Sequence, residues 1–301
     1  MDLEYFIQLM LSGMTRGSIY ALIALGYTMV YGIIQLINFA HGEIYMIGAF
    51  TALIVATVLN MTGMPGVAIF IIAMIVAVVY SSAYGVTMEA LAYRPVRRAQ
   101  RLSALISAIG MSFFLQNYVL LAQTSDFVSF PKLIPQFGFL EAGGLVTSTQ
   151  IIIFGVTAVV MVALTFLIKF TMIGKAMRAT SQDKTMAMLV GININRVIAV
   201  TFLIGSAMAA VGGVLISSHV GQINFYIGFL AGIKAFVAAV LGGIGSIPGA
   251  VLGSFVLGLT ESLGAGYISS DYEDVFAFII LVLILIFRPA GLLGRAQKDK
   301  I

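Results

Sequence analysis

Cysteine is absent from the 301-residue chain, which excludes disulfides, thiolate metal sites and a cysteine nucleophile. Tryptophan is absent as well, so any interfacial aromatic belt falls to 12 Tyr and 21 Phe. Charge is scarce: 16 basic and 12 acidic residues make 9% of the chain, against about 25% in soluble domains. A chain so poor in charge has nothing to cover a water-facing surface with, which excludes a soluble enzyme and a nucleic-acid binder. A phosphate-binding loop is missing too, because Gly174-Lys175 is followed by Ala176 and has no glycine five residues upstream.

Apolar residues dominate instead: 60% of the chain is hydrophobic, and 32 glycines add to that share. An α-helix needs about 20 uncharged residues to cross ~30 Å of hydrocarbon. The charge-free runs 17–42, 44–88, 102–125, 142–168, 197–233 and 235–260 supply that length, and a shorter run follows at 275–287. The polar turn Asn60-Met-Thr-Gly-Met-Pro65 divides the second run in two. Helices are therefore predicted near 11–36, 39–59, 66–88, 102–122, 150–169 and 197–217. Between 228 and 262 the segment Gly242-Gly-Ile-Gly-Ser-Ile-Pro-Gly249 interrupts the apolar sequence. It leaves two arms near 229–241 and 250–262, each about 20 Å long, which either cross as short spans or form a re-entrant pair. A last helix starts near Val275, with Arg288 snorkelling if the apolar stretch continues toward Leu293. The expected fold class is all-α, a polytopic membrane helical bundle of about eight spans, broken or re-entrant near 228–262, in one transmembrane domain over 1–301. The acidic start Met1-Asp-Leu-Glu4 has no basic region and no cleavage site follows, so the first apolar segment is expected to stay in the mature protein.

Orientation follows from the basic residues. Arg94, Arg97, Arg98 and Arg101 lie between the third and fourth helices, and Lys169, Lys175, Arg178, Lys184 and Arg196 between the fifth and sixth. Arg288, Arg295, Lys298 and Lys300 close the chain. Alternation puts these 13 of the 16 basic residues on one side, with Arg16 and Lys132 opposite and Lys234 inside an arm. The positive-inside rule makes that side cytoplasmic, with the N-terminus external and the C-terminus cytoplasmic.

Four features carry the functional candidates. Gly205, Ala209 and Gly213 share a helix face, as do Gly249 and Gly253, and read as close helix contacts or as a permease lining. Asn38-Phe-Ala-His-Gly-Glu43 is the densest polar group between hydrophobic segments. It reads as a capped helix start, with Asn38 accepting backbone N–H bonds and Glu43 in the first turn, or as a pathway or gate through Asn38, His41 and Glu43. It lacks HExxH spacing and a second carboxylate, so neither metal binding nor catalysis is read there. Lys234 must face protein or water rather than lipid: it pairs with Glu261, reaches carbonyls of the arm turn, or contacts a substrate carboxylate. The segment 170–196 reads as short helices beneath the membrane, able to dock a separate soluble partner or to lie on anionic membrane lipid.

Several blocks together resemble the permease subunits of high-affinity branched-chain amino acid ABC transporters, the LivH type. They are Gly17-Ser-Ile-Tyr-Ala-Leu-Ile-Ala-Leu-Gly26, Ile37-Asn-Phe-Ala-His-Gly-Glu43, Ala92-Tyr-Arg-Pro-Val-Arg97, Gly174-Lys-Ala-Met-Arg-Ala179 and Leu241-Gly-Gly-Ile-Gly-Ser-Ile-Pro-Gly-Ala250, in a resemblance spanning about 11–294. The resemblance implies an importer of the bacterial inner membrane for leucine, isoleucine and valine. Its expected partners are a LivM-like second permease, two cytoplasmic ATPases that use the ATP, and a periplasmic binding protein. It also implies ATPase coupling through 170–196, at Gly174, Lys175, Ala176, Arg178, Ala179 and Gly191. This chain would bind no cofactor and catalyse nothing. Related permeases serving urea, short amides or other amino acids remain open, as does an ion-coupled secondary transporter, for which Glu89 and Glu261 are the membrane-embedded acids available.

Overall fold

The computed structural model describes residues 3–97, 99–135 and 145–294. The helices are α1 (Leu3–Ile34), α2 (His41–Asn60), α3 (Gly66–Met88), α4 (Arg101–Ala122), α5 (Ser148–Phe170), α6 (Met172–Gln182), α7 (Lys184–Leu189), α8 (Ile194–Val220), α9 (Ile227–Gly242), α10 (Ile247–Tyr267) and α11 (Glu273–Phe287). A π-turn, Glu89–Tyr93, prolongs α3. Seven of these helices, α3 taken with its extension, are long and apolar enough to cross a membrane: α1, α2, α3, α4, α5, α8 and α10. The chain is thus an all-α polytopic membrane bundle. Its one strand pair, among the described residues, is a two-residue antiparallel ladder of β1 (Val128–Ser129) with β2 (Gln222–Ile223), which joins the α4–α5 and α8–α9 connections.

The centre is formed by α1, α2, α8, α9 and α10. In its most apolar stretch α1 is 83% buried, whereas α5 is 17% buried and lies at the periphery. Glycine sets how closely the central helices approach. A Cβ at Gly17 of α1 would sit 2.9 Å from Phe255 Cα of α10, and one at Gly48 of α2 would sit 2.7 Å from Ala210 Cα of α8. Gly213 meets the backbone of Tyr45 and Ala49, and Gly249 and Gly253 meet Gly242. The small residues read from the sequence thus serve helix contact, since apolar burial gives no drive between helices already in lipid.

Two boundaries differ from the sequence expectation. Helix α1 begins at Leu3 rather than near Leu11 and runs 32 residues, about 48 Å. Arg16 does not interrupt it because Glu273 neutralises the guanidinium at 2.5 Å. The second arm is not short: α10 has 21 residues and spans about 31 Å. Its start moves back into the glycine-rich run because Ser246 Oγ accepts the Gly249 N–H at 3.2 Å and proline occupies the first turn. The break itself is confined to 243–246, where Gly243 and Gly245 have φ of 103° and 92°. Helix α9, with 16 residues, remains the short arm.

Candidate functional site

The α6–α7 segment is built on a tight corner. Thr171 Oγ1 donates to Leu167 O at 2.6 Å and accepts from the Gly174 N–H at 3.1 Å. A side chain at Gly174 would strike the carbonyls of Leu167 and Ile168, so glycine permits the turn from α5 into α6. Arg178 reaches back to donate to Ile168 O. Asp183 caps α7 by accepting the Thr185 and Met186 N–H groups at 2.8 and 3.0 Å. Gly191 follows α7 with φ 85°, a left-handed stop. Of the six residues expected to couple, Lys175, Arg178 and Gly191 are exposed, Ala176 and Ala179 are half-buried, and Gly174 is buried. The uncovered surface is largely apolar, with Met186, Met188, Leu189 and Val190 all exposed. Six residues of helix are too few for a sequence period to say which face is left open.

This segment packs against α1, α5 and α8, and a charged network lies beside it at the π-turn. Lys184 Nζ donates to Ile34 O at the end of α1, at 3.3 Å. Arg97 donates to Asn195 Oδ1 at the start of α8, at 2.8 Å, and pairs with the fully buried Glu89 of the π-turn. Arg94 takes the other Glu89 oxygen at 2.7 Å. Burial, and then the nearby Arg97 charge, push the Lys184 ammonium below the ordinary lysine range.

The polar group at 38–43 does not form an open lining. Residue Ala40, not Asn38, occupies the N-cap of α2 and has no side-chain cap. As expected, Asn38 Oδ1 accepts a backbone N–H, that of Ala40 at 3.1 Å, and Glu43 lies in the first turn; Asn38 also accepts from the Tyr93 hydroxyl at 2.7 Å, which pins the π-turn to the entrance of α2. His41 is buried edge-on to Tyr27, with ring centroids 4.8 Å apart, and its Nε2 has no hydrogen-bond partner. Glu43 is fully buried; Oε1 accepts from the Ser112 hydroxyl at 2.9 Å, and Oε2 faces Gly228 without a partner. His41 and Glu43 thus sit among α1, α2, α4 and α9, and Asn38 between the entrance of α2 and the π-turn.

Lys234 of α9 is surrounded by carboxylates. Its Nζ lies 3.2 Å from Glu261 Oε1 of α10, and 3.3 and 2.7 Å from Glu273 and Asp274 at the start of α11. Glu261 is fully buried, and its Oε2 accepts from the Tyr20 hydroxyl of α1 at 2.8 Å. With Arg16 on Glu273, the network joins α1, α9, α10 and α11. The sequence pairing of Lys234 with Glu261 is present, while Arg16, Tyr20, Glu273 and Asp274 are additions. A signal existed for Arg16: a lone guanidinium in an apolar helix requires an acidic partner.

Two adjoining cavities of about 320 and 1060 Å³ lie where α1, α5, α6 and α10 meet, with Arg178 lining both. None of Asn38, His41, Glu43 or Lys234 lines either.

The family described as branched-chain amino acid transport system, permease component, matches residues 9–285. The chain is 52% identical to the high-affinity branched-chain amino acid transport system permease protein LivH of Escherichia coli, over 99% of this chain and 98% of that one. It is 51% identical to LivH of Salmonella typhimurium over the same shares. It is also 52% identical to the permease protein BraD of Pseudomonas aeruginosa, over 100% of this chain and 99% of that one. The chain belongs to the family of branched-chain amino acid transport permease components.

Proposed function

We propose that this chain is the permease subunit of an ATP-driven importer of leucine, isoleucine and valine in a bacterial inner membrane. The observation that carries it is similarity near 52% identity along essentially the whole length of LivH and BraD. It forms one permease domain and shares the translocation pathway with a LivM-like second permease. Two cytoplasmic ATPases supply the energy, a periplasmic binding protein delivers the substrate, and ATP shifts the permease between outward- and inward-facing populations. Uptake of labelled leucine by cells expressing the chain with its companion subunits is the test. Isoleucine and valine are expected to compete; uptake of urea or short amides with no competition by leucine rejects the assignment.

In this reading α6 and α7 are the coupling segment, with the N-terminus periplasmic and the C-terminus cytoplasmic. The turn at 243–246 comes near the same side as α6. In support, Leu292 and Leu293 N–H, just after α11, donate to Leu241 and Gly242 carbonyls at 2.9 and 3.0 Å. Among the described residues α9 and α11 join the seven long helices in this reading, one more than the eight or so spans expected, and an odd number suits termini on opposite sides. Single cysteines at Ser129 and Gln182, both exposed, test the orientation on a background that has no native thiol. An impermeant thiol reagent added to intact spheroplasts is expected to label the first and not the second; the opposite pattern overturns the orientation.

A further inference from the structure

We propose that the paired cavities between α1, α5, α6 and α10 hold the transported amino acid in the inward-facing state, its carboxylate at Arg178 and its aliphatic chain between α5 and α10. This rests on the reading of the chain as a branched-chain amino acid permease and names a site for it.

The two cavities differ in chemistry and share an edge. The smaller, about 320 Å³, is lined by Thr28, Tyr31 and Gln35 from the end of α1 and by Arg178 and Ser181 of α6. The larger, about 1060 Å³, is lined mainly by apolar side chains, among them Leu25, Met161, Val251 and Phe255. Arg178, Ile168 and the turn residues Ile244 and Gly245 line both. A polar pocket opening onto an apolar one fits a ligand with a charged head and a hydrocarbon tail, and their sizes suit a small molecule.

Charge and unused hydrogen-bonding capacity point the same way. Arg178 and Lys169 are the cationic side chains of the lining, and among the described residues no carboxylate lines either cavity, so an anionic group is favoured. Arg178 spends one donor on Ile168 O, and a guanidinium has five, so donors remain for a carboxylate. The Thr28 hydroxyl is buried, lines the smaller cavity and has no partner, which leaves an acceptor for an ammonium group. Gln35 is the one non-glycine residue with positive φ among the described residues, at 62°, and it too lines this cavity. Backbone held in that region is costly and concentrates at ligand sites. Urea and short amides carry neither the carboxylate nor the tail, so the same lining discriminates against them.

The test uses the whole transporter in nucleotide-free inside-out vesicles, with one cysteine introduced at Val251 or, on the facing helix, at Met161. An impermeant maleimide is expected to modify both, and leucine at about ten times its half-protecting concentration to slow the reaction roughly tenfold by occupancy. Urea is expected to give no protection, and a cysteine at Gln182, exposed at the end of α6 and outside both linings, to be labelled at the same rate with or without leucine. Arg178→Gln is expected to raise the KM for leucine more than Arg178→Lys does, and by a larger factor than it lowers kcat. Leucine uptake by the parent complex without protection or labelling at either cysteine overturns the site and leaves the proposed function standing. Absence of leucine uptake by the parent complex overturns both.

Discussion

Replacing Lys234 by methionine is expected to destabilise the subunit more than any other single change in the charged network. Lys234 is 15% exposed and Glu261 is not exposed at all, so the substitution leaves a buried carboxylate with only the Tyr20 hydroxyl. Removing one partner of a buried ion pair costs about 3–5 kcal/mol, because the other charge stays desolvated. Glu273 and Asp274 contribute less to this cost, being 23% and 55% exposed and able to hydrate. The double change Lys234→Met with Glu261→Gln is expected to recover most of the loss, since an apolar or neutral replacement of both partners is near neutral. Thermal unfolding of the detergent-solubilised subunit measures this. Equal losses in the single and double variants would show that Lys234 acts through something other than Glu261.

The second large effect concerns coupling. Leu189 of α7 is 75% exposed, so Leu189→Asp is expected to leave unfolding and membrane insertion unchanged, as exposed substitutions do to within about 0.5 kcal/mol. In a groove of the ATPase the new carboxylate would be buried without a partner. That costs about 2–5 kcal/mol, a loss of affinity of roughly 30-fold or more. Co-purification of the ATPases and leucine transport are expected to fall together. Leu189 tests docking more cleanly than Ala179, which is half-buried in the subunit and would register strain as well. Full ATPase recovery with Leu189→Asp would mean that α7 lies against lipid.

Folding of the segments was legible where it depends on one dimension. The lengths of the charge-free runs gave α2, α3, α4, α5 and α8 to within a few residues, because a bilayer of fixed thickness converts apolar length directly into a helix. The break at 243–246 was legible for the same kind of reason: four glycines and a proline raise the local cost of helix whatever surrounds them. The family, too, was carried by contiguous blocks, and it holds over residues 9–285.

Tertiary structure decided which polar groups meet. Arg16 and Glu273 are 257 positions apart in the chain and 2.5 Å apart in space, and only helix rotation and the path of α11 bring them together. In the same way Asn38, His41 and Glu43 meet Tyr93, Tyr27 and Ser112 from other helical segments, and Arg178, exposed on α6, also lines a cavity. Composition determined that this chain lives in a membrane, and spacing determined where it crosses. What it holds inside was fixed by long-range packing, because a side chain's neighbours depend on the azimuth of every helix around it and no single run of residues encodes that angle.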